Sequence, residues 1–387
     1  MADLQWLKFI INKGVIMKSM AGIHLEYGDK VQVEEIDIPD PLDTQVIVKL
    51  KSTGVCHSQL HQMNSSETSR PISLGHEGAG YVEKIGKNVK DLKEGDKVIV
   101  TWVGKNPYKG KLDVPQTTAS YKGVKFSEFT FTWSQYTIVD ENLVVKIDSS
   151  HPDDVSSIVG CAVLTGGGAV LHTAKVRPNN SVAIYGMGGV GLSALKMAHL
   201  LNAYPIIAVD IIDSKLQFAK EFGATHTINS MEEDPIQKIH EITNGGVDFA
   251  FDAIGVKQTM EQILPSVRDG GSGADNIGGK AVLIGIPAVH DISVDPRNFM
   301  FKHKQYIGSL GATYPEQDFE MYLRWHKEGK FPLDKLVTDR YTLEDIAIAC
   351  DDLHSGKITG RAIVCLLYTS DAADERSSVD LGGRRII

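Results

Sequence analysis

Two hydrophobic patterns divide the chain. Between about residues 31 and 100, apolar positions come in short β-branched runs separated by turn residues. Residues 45–50 and 97–101 are rich in Val and Ile and predict strands, with Gly86 and Gly95-Asp96 as turns. Residues 104–127 are polar and predict a long loop or lobe, followed by the strand-like stretch 131–139. From about residue 178 the pattern changes. Asn179-Asn180 predicts a turn and 181–185 a buried strand. A Gly-rich turn, a helix to about Asn202 and a strand over 205–210 come next. Residues 214–222 predict a helix with Ser214 as N-cap and Gly223 closing it. Residues 247–252 and 280–284 are further apolar strands. Strands alternating with helices predict a parallel sheet covered on both faces, so the fold class is α/β.

The ends do not share these patterns. Residues 1–16 precede Met17 and Met20, either of which reads as a start. Residues 367–387 follow a natural terminal strand, 361–366, and have no helix or strand period. They read as translated adaptor or vector sequence, or else as a disordered tail.

Composition narrows the class. The chain has 387 residues, which at about 150 residues per domain suggests two to three domains. With 42% hydrophobic and 23% charged residues it reads as an ordinary globular protein. The 37 glycines exceed the usual ~7% and point to tight turns. A net charge of −9 is the wrong sign for a nucleic-acid footprint. Cys56, Cys161, Cys350 and Cys365 are scattered, which excludes a disulfide scaffold and leaves metal, nucleophile or core roles. No run reaches the ~18 consecutive apolar residues of a membrane helix; the longest, 159–171, has 13 and contains Thr165 and several glycines. The first residues carry Lys8 and Lys13 without a continuous apolar region, so the expected compartment is the cytosol.

Gly186, Gly188 and Gly191 match G-x-G-x-x-G, with Gly189 and Val190 inside the motif. A predicted strand precedes it and a predicted helix follows. Asp210 ends the next strand, nineteen residues after Gly191, close to the ~20 expected of an acid on an adenosine ribose. The first Gly makes the turn, the second admits a pyrophosphate, and the third packs helix on strand, with free N–H groups at the helix start. Asp210 would repel a 2′-phosphate, which favours NAD over NADP.

A second constellation has metal-binding chemistry. Cys56, His57 and His61 fall within six residues, His57 and His61 on one helical face. His76-Glu77 lies between Gly75 and Gly78, and Cys161 begins a Gly-rich run. A catalytic zinc takes three protein ligands and leaves one position open, and Cys and His suit its softness. From spacing alone, a lone Cys such as Cys161 reads more often as core filler than as a ligand.

The segments 54–58, 75–80 and 95–98, Cys161 with Thr165-Gly166, and 186–191 together resemble zinc-dependent alcohol dehydrogenases of the medium-chain dehydrogenase/reductase family. The resemblance runs from about Met17 to Leu366. It implies a GroES-like β-rich catalytic domain, 17–160 with a return segment 309–366, around a Rossmann NAD-binding domain, 161–308. It implies Cys56, His76 and Cys161 as zinc ligands, Glu77 as the acid beside the metal, Ser58 on the substrate oxygen and His61 at the outer end of a proton relay. Thr165 and Val190 would border the nicotinamide, Asp210 and Lys215 hold the adenosine ribose, and His57 and Arg361 approach the pyrophosphate. Dimers or tetramers are implied, as is a small alcohol or aldehyde substrate.

Two departures stand out. Many relatives carry four closely spaced cysteines for a structural zinc, whereas residues 77–160 here contain no Cys, so one zinc per chain is expected. Relatives also commonly have Asp at Gln59, where it holds the zinc-binding His; loss of such a partner typically costs ~10–100-fold in metal affinity or activity. The activity expected is reversible NAD-linked oxidation of an alcohol, with the proton leaving through Ser58, a ribose hydroxyl and His61. Glutathione-linked formaldehyde oxidation and a non-catalytic NAD-binding protein on the same fold are the alternatives.

Overall fold

The structure, a computed structural model, describes residues 16–105, 114–273 and 275–366. Apart from Ile16, the expected extensions lie outside the described residues, as does 106–113 of the polar lobe.

The first unit is β-rich. In chain order it contains β1 (Met17–His24), β2 (Gln32–Ile38), β3 (Gln45–Val55), helix α1 (His57–Met63), β4 (Ile72–Ser73), β5 (Gly78–Ile85), β6 (Lys97–Val100), β7 (Ser120–Tyr121), β8 (Val124–Lys125), β9 (Tyr136–Asp140) and β10 (Val144–Lys146). A helical run, α2 (Asp153–Ala174), leads into the second unit. There, β11 (Val182–Tyr185), α3 (Gly189–Leu200), β12 (Ile206–Asp210), α4 (Asp213–Ala219), β13 (His226–Asn229), α5 (Pro235–Thr243), β14 (Phe249–Asp252), α6 (Lys257–Ser266), β15 (Lys280–Leu283) and β16 (Gln305–Gly308) alternate. The chain returns through α7 (Pro315–Lys327), β17 (Val337–Thr342), α8 (Ile346–His354) and β18 (Arg361–Cys365).

The second unit is a six-stranded, all-parallel sheet in the order β13-β12-β11-β14-β15-β16. Strand order reverses between β11 and β14, the switch point where such sheets bind ligands. The first unit holds two sheets: β4-β1-β2-β7-β8, and β10-β6-β5-β3-β18-β17 with β9 also on β3. Antiparallel pairing of β18 with β3 sets Ile363 against Gly54, so the last strand completes a sheet begun some 300 residues earlier. The fold class is therefore the expected one, a GroES-like β domain with a Rossmann-like parallel sheet.

Several local expectations change. Of the stretch expected over 131–139, only Tyr136–Asp140 forms a strand; residues 131–135 carry bends and a single isolated bridge from Ser134 to Ala21. The predicted polar loop contains the β7–β8 hairpin, turned at Lys122 and Gly123, both with positive φ. Its apolar side is buried: Phe126 and Phe131 meet edge to face at 5.8 Å in a cluster with Ala119, Tyr121 and Ile138. Ser214 is not an N-cap. Helix α4 starts at Asp213 with Ile212 as its N-cap and no side-chain cap, and the Asp210 carboxylate at the strand end accepts from the N–H groups of Ile211 and Ile212 just ahead of it. Gly223 does close that segment, at φ 109°.

The Gly-rich run after Cys161 is helical. Helix α2 has a mean hydropathy of 1.5 and is long enough to cross a membrane, but 83% of that window is buried inside the protein. Gly166, Gly167 and Gly168 lie where a Cβ would strike the Val190 carbonyl, the Tyr322 ring and Gly311 respectively. Close approach therefore outweighs the helix penalty of ~1 kcal/mol per glycine. The division expected at residues 160/161 falls inside this helix.

Asp248 ties the start of the parallel sheet together. Its carboxylate accepts from the Ser181 N–H at 2.9 Å and from Arg268 at 2.7 Å. Burial pushes this carboxyl up, but the Arg268 and Ser181 bonds outweigh it, and its pKa lies below the ordinary 3.8. Asp248→Ala is expected to cost about 1–3 kcal/mol. A folded pKa below the unfolded one stabilises above the unfolded value, and that stability is lost as pH falls through the lowered folded value. The Asp248→Ala deficit measured by urea midpoint should therefore be full at neutral pH and shrink in acid.

Candidate active site

Strand β3 ends at Val55, and Cys56 is the N-cap of α1. The Cys56 N–H donates to Gln59 Oε1 at 3.0 Å, and the Gln59 amide also meets Nδ1 of His76. Gln59 thus joins two residues twenty positions apart in the chain. Cys161 comes from α2, at a wide turn spanning Val159–Val163; such π-type turns cluster at functional sites. The metal-capable atoms of Cys56, His76 and Cys161 all lie within 4.8 Å of one another, with His76 Nε2 3.0 Å from Cys161 Sγ. Two thiols and an imidazole converging beside a cavity fit a zinc ion. The Cys161 contact holds the Cys56 thiol well below its usual pKa, with Arg361 adding to it; Cys161 itself is pushed up by Cys56 and by burial.

Glu77 is fully buried and paired with Arg361 from β18. Its second oxygen accepts from the Ala162 N–H at 3.2 Å, the residue after Cys161. Burial raises the Glu77 carboxyl, and Arg361 only partly offsets this. Burial would lower the guanidinium, but Cys56, Glu77 and Cys161 together raise it. Arg361 also runs beside Gly189, where a Cβ would lie 3.1 Å from its Cδ. It therefore links the metal-binding group to the glycine loop.

That loop has the shape expected of a phosphate cradle. Gly186 sits at φ 94°, and a Cβ on Gly191 would collide with the Gly186 carbonyl. A Cβ on Gly188 would meet nothing within 4 Å, so the space above it is open at the start of α3. Asp210 Oδ2 accepts from the Met187 N–H at 2.7 Å, and Oδ1 accepts from Ile211 and Ile212 at 2.8 and 3.1 Å. A carboxylate has about four acceptor sites, which leaves one for a ribose hydroxyl. Lys215 is half-buried on α4.

A cavity of about 690 Å³ opens beside the metal-capable group and reaches Val190 of the glycine motif. Cys56, His76 and Cys161 lie in its wall with Ser58 and His61 of α1. Thr165 and Val190 are on the coenzyme side, and the exposed His57 is at the rim. The side-chain oxygens of Ser58 and Thr165 are buried without hydrogen-bond partners among the described residues. Trp102, Glu128 and Thr130 also line the cavity and were not singled out in the sequence. The one available signal was Glu128, a lone charge in the stretch 126–133, where aromatic residues alternate with polar ones.

Residues 42–149 match the family described as alcohol dehydrogenase GroES-like domain, and residues 189–328 match zinc-binding dehydrogenase. The chain belongs to the zinc-dependent alcohol dehydrogenases of the medium-chain dehydrogenase/reductase family and is an enzyme. It is 31% identical to an S-(hydroxymethyl)glutathione dehydrogenase of Komagataella pastoris, over 92% of this chain and 99% of the relative. It is 33% identical to one from Synechocystis sp., over 88% and 98%. Benzyl alcohol dehydrogenase from Acinetobacter calcoaceticus superposes with a TM-score of 0.80 at 30% identity, over 90% of this chain and 99% of that one.

Proposed function

We propose that the enzyme catalyses reversible, NAD-linked oxidation of an alcohol to an aldehyde or ketone, with one zinc per chain held by Cys56, His76 and Cys161. The observation that carries this reading is the single cavity onto which the Cys/His/Cys group, Ser58, Thr165 and Val190 all open. When bound, zinc supplies Lewis acidity to the substrate oxygen and the nicotinamide takes up the hydride. Ser58, which lines the cavity and whose Oγ has no partner among the described residues, accepts the hydroxyl proton. His61, three residues further along the same helix, receives it towards solvent. Thr165 and Val190 form the wall against which the nicotinamide rests. Arg361, whose guanidinium is paired with Glu77, runs its aliphatic stem beside Gly189 of the glycine loop.

Among the described residues no Lys or Arg lines the cavity, and Glu128 does. That composition supports an uncharged alcohol over a glutathione conjugate, although the relatives above act on one by name. The test is a panel of alcohols followed by NADH absorbance in zinc-loaded protein, with metal content measured on the same sample. Absence of turnover with every alcohol refutes the reading, and two zincs per chain refute the metal count.

NAD preference rests on Asp210. A like charge near a protein surface is worth ~1–4 kcal/mol at 4 Å, so Asp210→Gly should raise the NADP-to-NAD ratio of kcat/KM by about tenfold or more. The protein should also lose stability, since three backbone N–H groups lose their acceptor. An unchanged ratio would remove Asp210 from the ribose site.

A further inference from the structure

The segment joining α1 to β4 forms part of the cavity wall. Gln62, Ser65 and Thr68 line the cavity from it. Residues 64–71 form neither helix nor strand. Two backbone bonds tie the start of this segment to α1, Asn64 N–H to Leu60 at 3.0 Å and Ser65 N–H to Gln62 at 3.3 Å. The rest is held chiefly by one side chain. Arg70 Nη1 donates to the Thr68 carbonyl at 2.7 Å, and Nη2 donates to the Met63 and Ser65 carbonyls at 2.9 and 3.0 Å. Nε donates to Nδ1 of His24 at 3.0 Å, and the guanidinium lies over the Tyr27 ring at 5.6 Å. Arginine offers five N–H donors in a rigid fork, and here the fork is divided between the wall segment and the end of β1. Met63 is the last residue of α1, whose final carbonyls find no partner within the helix.

His24 in turn places Arg70. It is buried, with Nε2 3.1 Å from the Asp29 carbonyl. A carbonyl only accepts, so Nε2 carries the proton and Nδ1 is left to accept from Arg70. Both nitrogens of the neutral ring are thereby committed. Arg70 and Asp29 are the charged residues that act on the ring. Its neighbours on the paired strands are Ile72, opposite it on β4, and Gln32, opposite Ile23 on β2.

We propose that Arg70 is a positioning residue for substrate, fastening the cavity wall over residues 62–68 to β1 through His24 and so governing alcohol binding more than the chemical step. This rests on the alcohol dehydrogenase reading and deepens it. Ser58 stands at the opposite end of α1, beside Cys56 and Gln59, so kcat should change less than KM. Protonation of His24 would turn a donor and a positive charge towards the Arg70 N–H. Burial holds this imidazole below its ordinary 6.5 and Arg70 adds to that, with the Asp29 carbonyl a partial offset. The fastening is therefore intact at neutral pH and loosens only in acid.

The test uses the zinc-loaded full chain with NAD, benzyl alcohol and 1-butanol, beside hydrogen exchange of the backbone over 62–69. Arg70→Met should raise the KM of the alcohols by about tenfold, leave that of NAD within about twofold, and speed exchange over 62–69. Arg70→Lys keeps the charge but not the fork, and should resemble Arg70→Met. Between about pH 7.5 and 5, alcohol KM and exchange over 62–69 should rise in the wild type relative to His24→Gln, which offers an amide N–H and oxygen without titrating. Comparison at equal pH removes the intrinsic pH dependence of exchange and of other groups. An unchanged alcohol KM, an equal rise in the KM of NAD, or exchange that quickens evenly along the chain overturns the inference. So does wild-type behaviour in Arg70→Lys, or a wild type and His24→Gln that stay parallel in acid. If neither alcohol is turned over, the dehydrogenase reading fails for both, while exchange needs no turnover and still decides whether Arg70 fastens the wall.

Discussion

Cys161→Ala is expected to release zinc and to lower kcat/KM by about 10³-fold or more. The argument is geometric. Cys161 Sγ is one of three ligand atoms lying within 4.8 Å of one another, and three protein ligands are the minimum for a catalytic zinc. Lewis-acid assistance is worth several kcal/mol of transition-state stabilisation, and each 1.36 kcal/mol is a factor of ten in rate. The side chain is small and helical, so its truncation should leave the fold standing. Cys365→Ala is the control, since Cys365 is half-buried on β18 outside the ligand group. Zinc content after dialysis, read beside the thermal midpoint, separates lost metal from lost fold. A variant that keeps both zinc and turnover would show that Cys161 is core filler after all.

Arg361→Leu is expected to destabilise the protein by about 3–5 kcal/mol, because it leaves the fully buried Glu77 carboxylate without its partner. The mechanism predicts strong coupling. Glu77→Gln combined with Arg361→Leu removes both charges, so the double variant should be more stable than Arg361→Leu alone. Chemical unfolding of the four proteins closes the cycle, and strictly additive losses would mean that the two groups do not act as a pair. Turnover should fall in both single variants, since Glu77 Oε2 also accepts from the backbone at Ala162 and helps fix the turn that carries Cys161.

The parallel sheet was readable because it is built from local signals. Short apolar runs, a glycine turn and an acid nineteen residues later follow from strand, helix and phosphate geometry within one stretch of chain. Cys56 with His76, near in sequence, was likewise within reach. Contacts across the chain were not. Glu77 and Arg361 are 284 positions apart, and only the pairing of β18 with β3 brings them together; the sequence suggested a pyrophosphate contact for Arg361 but not its partner. The Gly-rich run after Cys161 gave no helix signal, because glycine disfavours a helix unless close packing requires it, and the surfaces these glycines meet are not visible in the sequence. Ser214 looked like a cap because cap propensity is local, whereas the helix begins one residue earlier, at Asp213, with no side-chain cap. Glu128 stayed unnoticed because an acid beside a polar lobe is unremarkable until the cavity it lines is known.

Helix α2 carries Cys161 and Thr165 one turn apart, which at 1.5 Å per residue fixes about 6 Å of axial separation. The metal ligand and the nicotinamide wall are therefore set against one ruler. A displacement of this helix is common-mode: it carries sulfur and wall together and leaves their spacing unchanged. The alignment error that matters is between that ruler and the pair Cys56 and His76, which arrive from the β-rich unit. Gln59, bonded to both of them, makes that pair a second rigid reference. The precision of the site thus reduces to the registration of two bodies, and the Glu77 carboxylate, which accepts from the Ala162 N–H of α2, is the dowel between them.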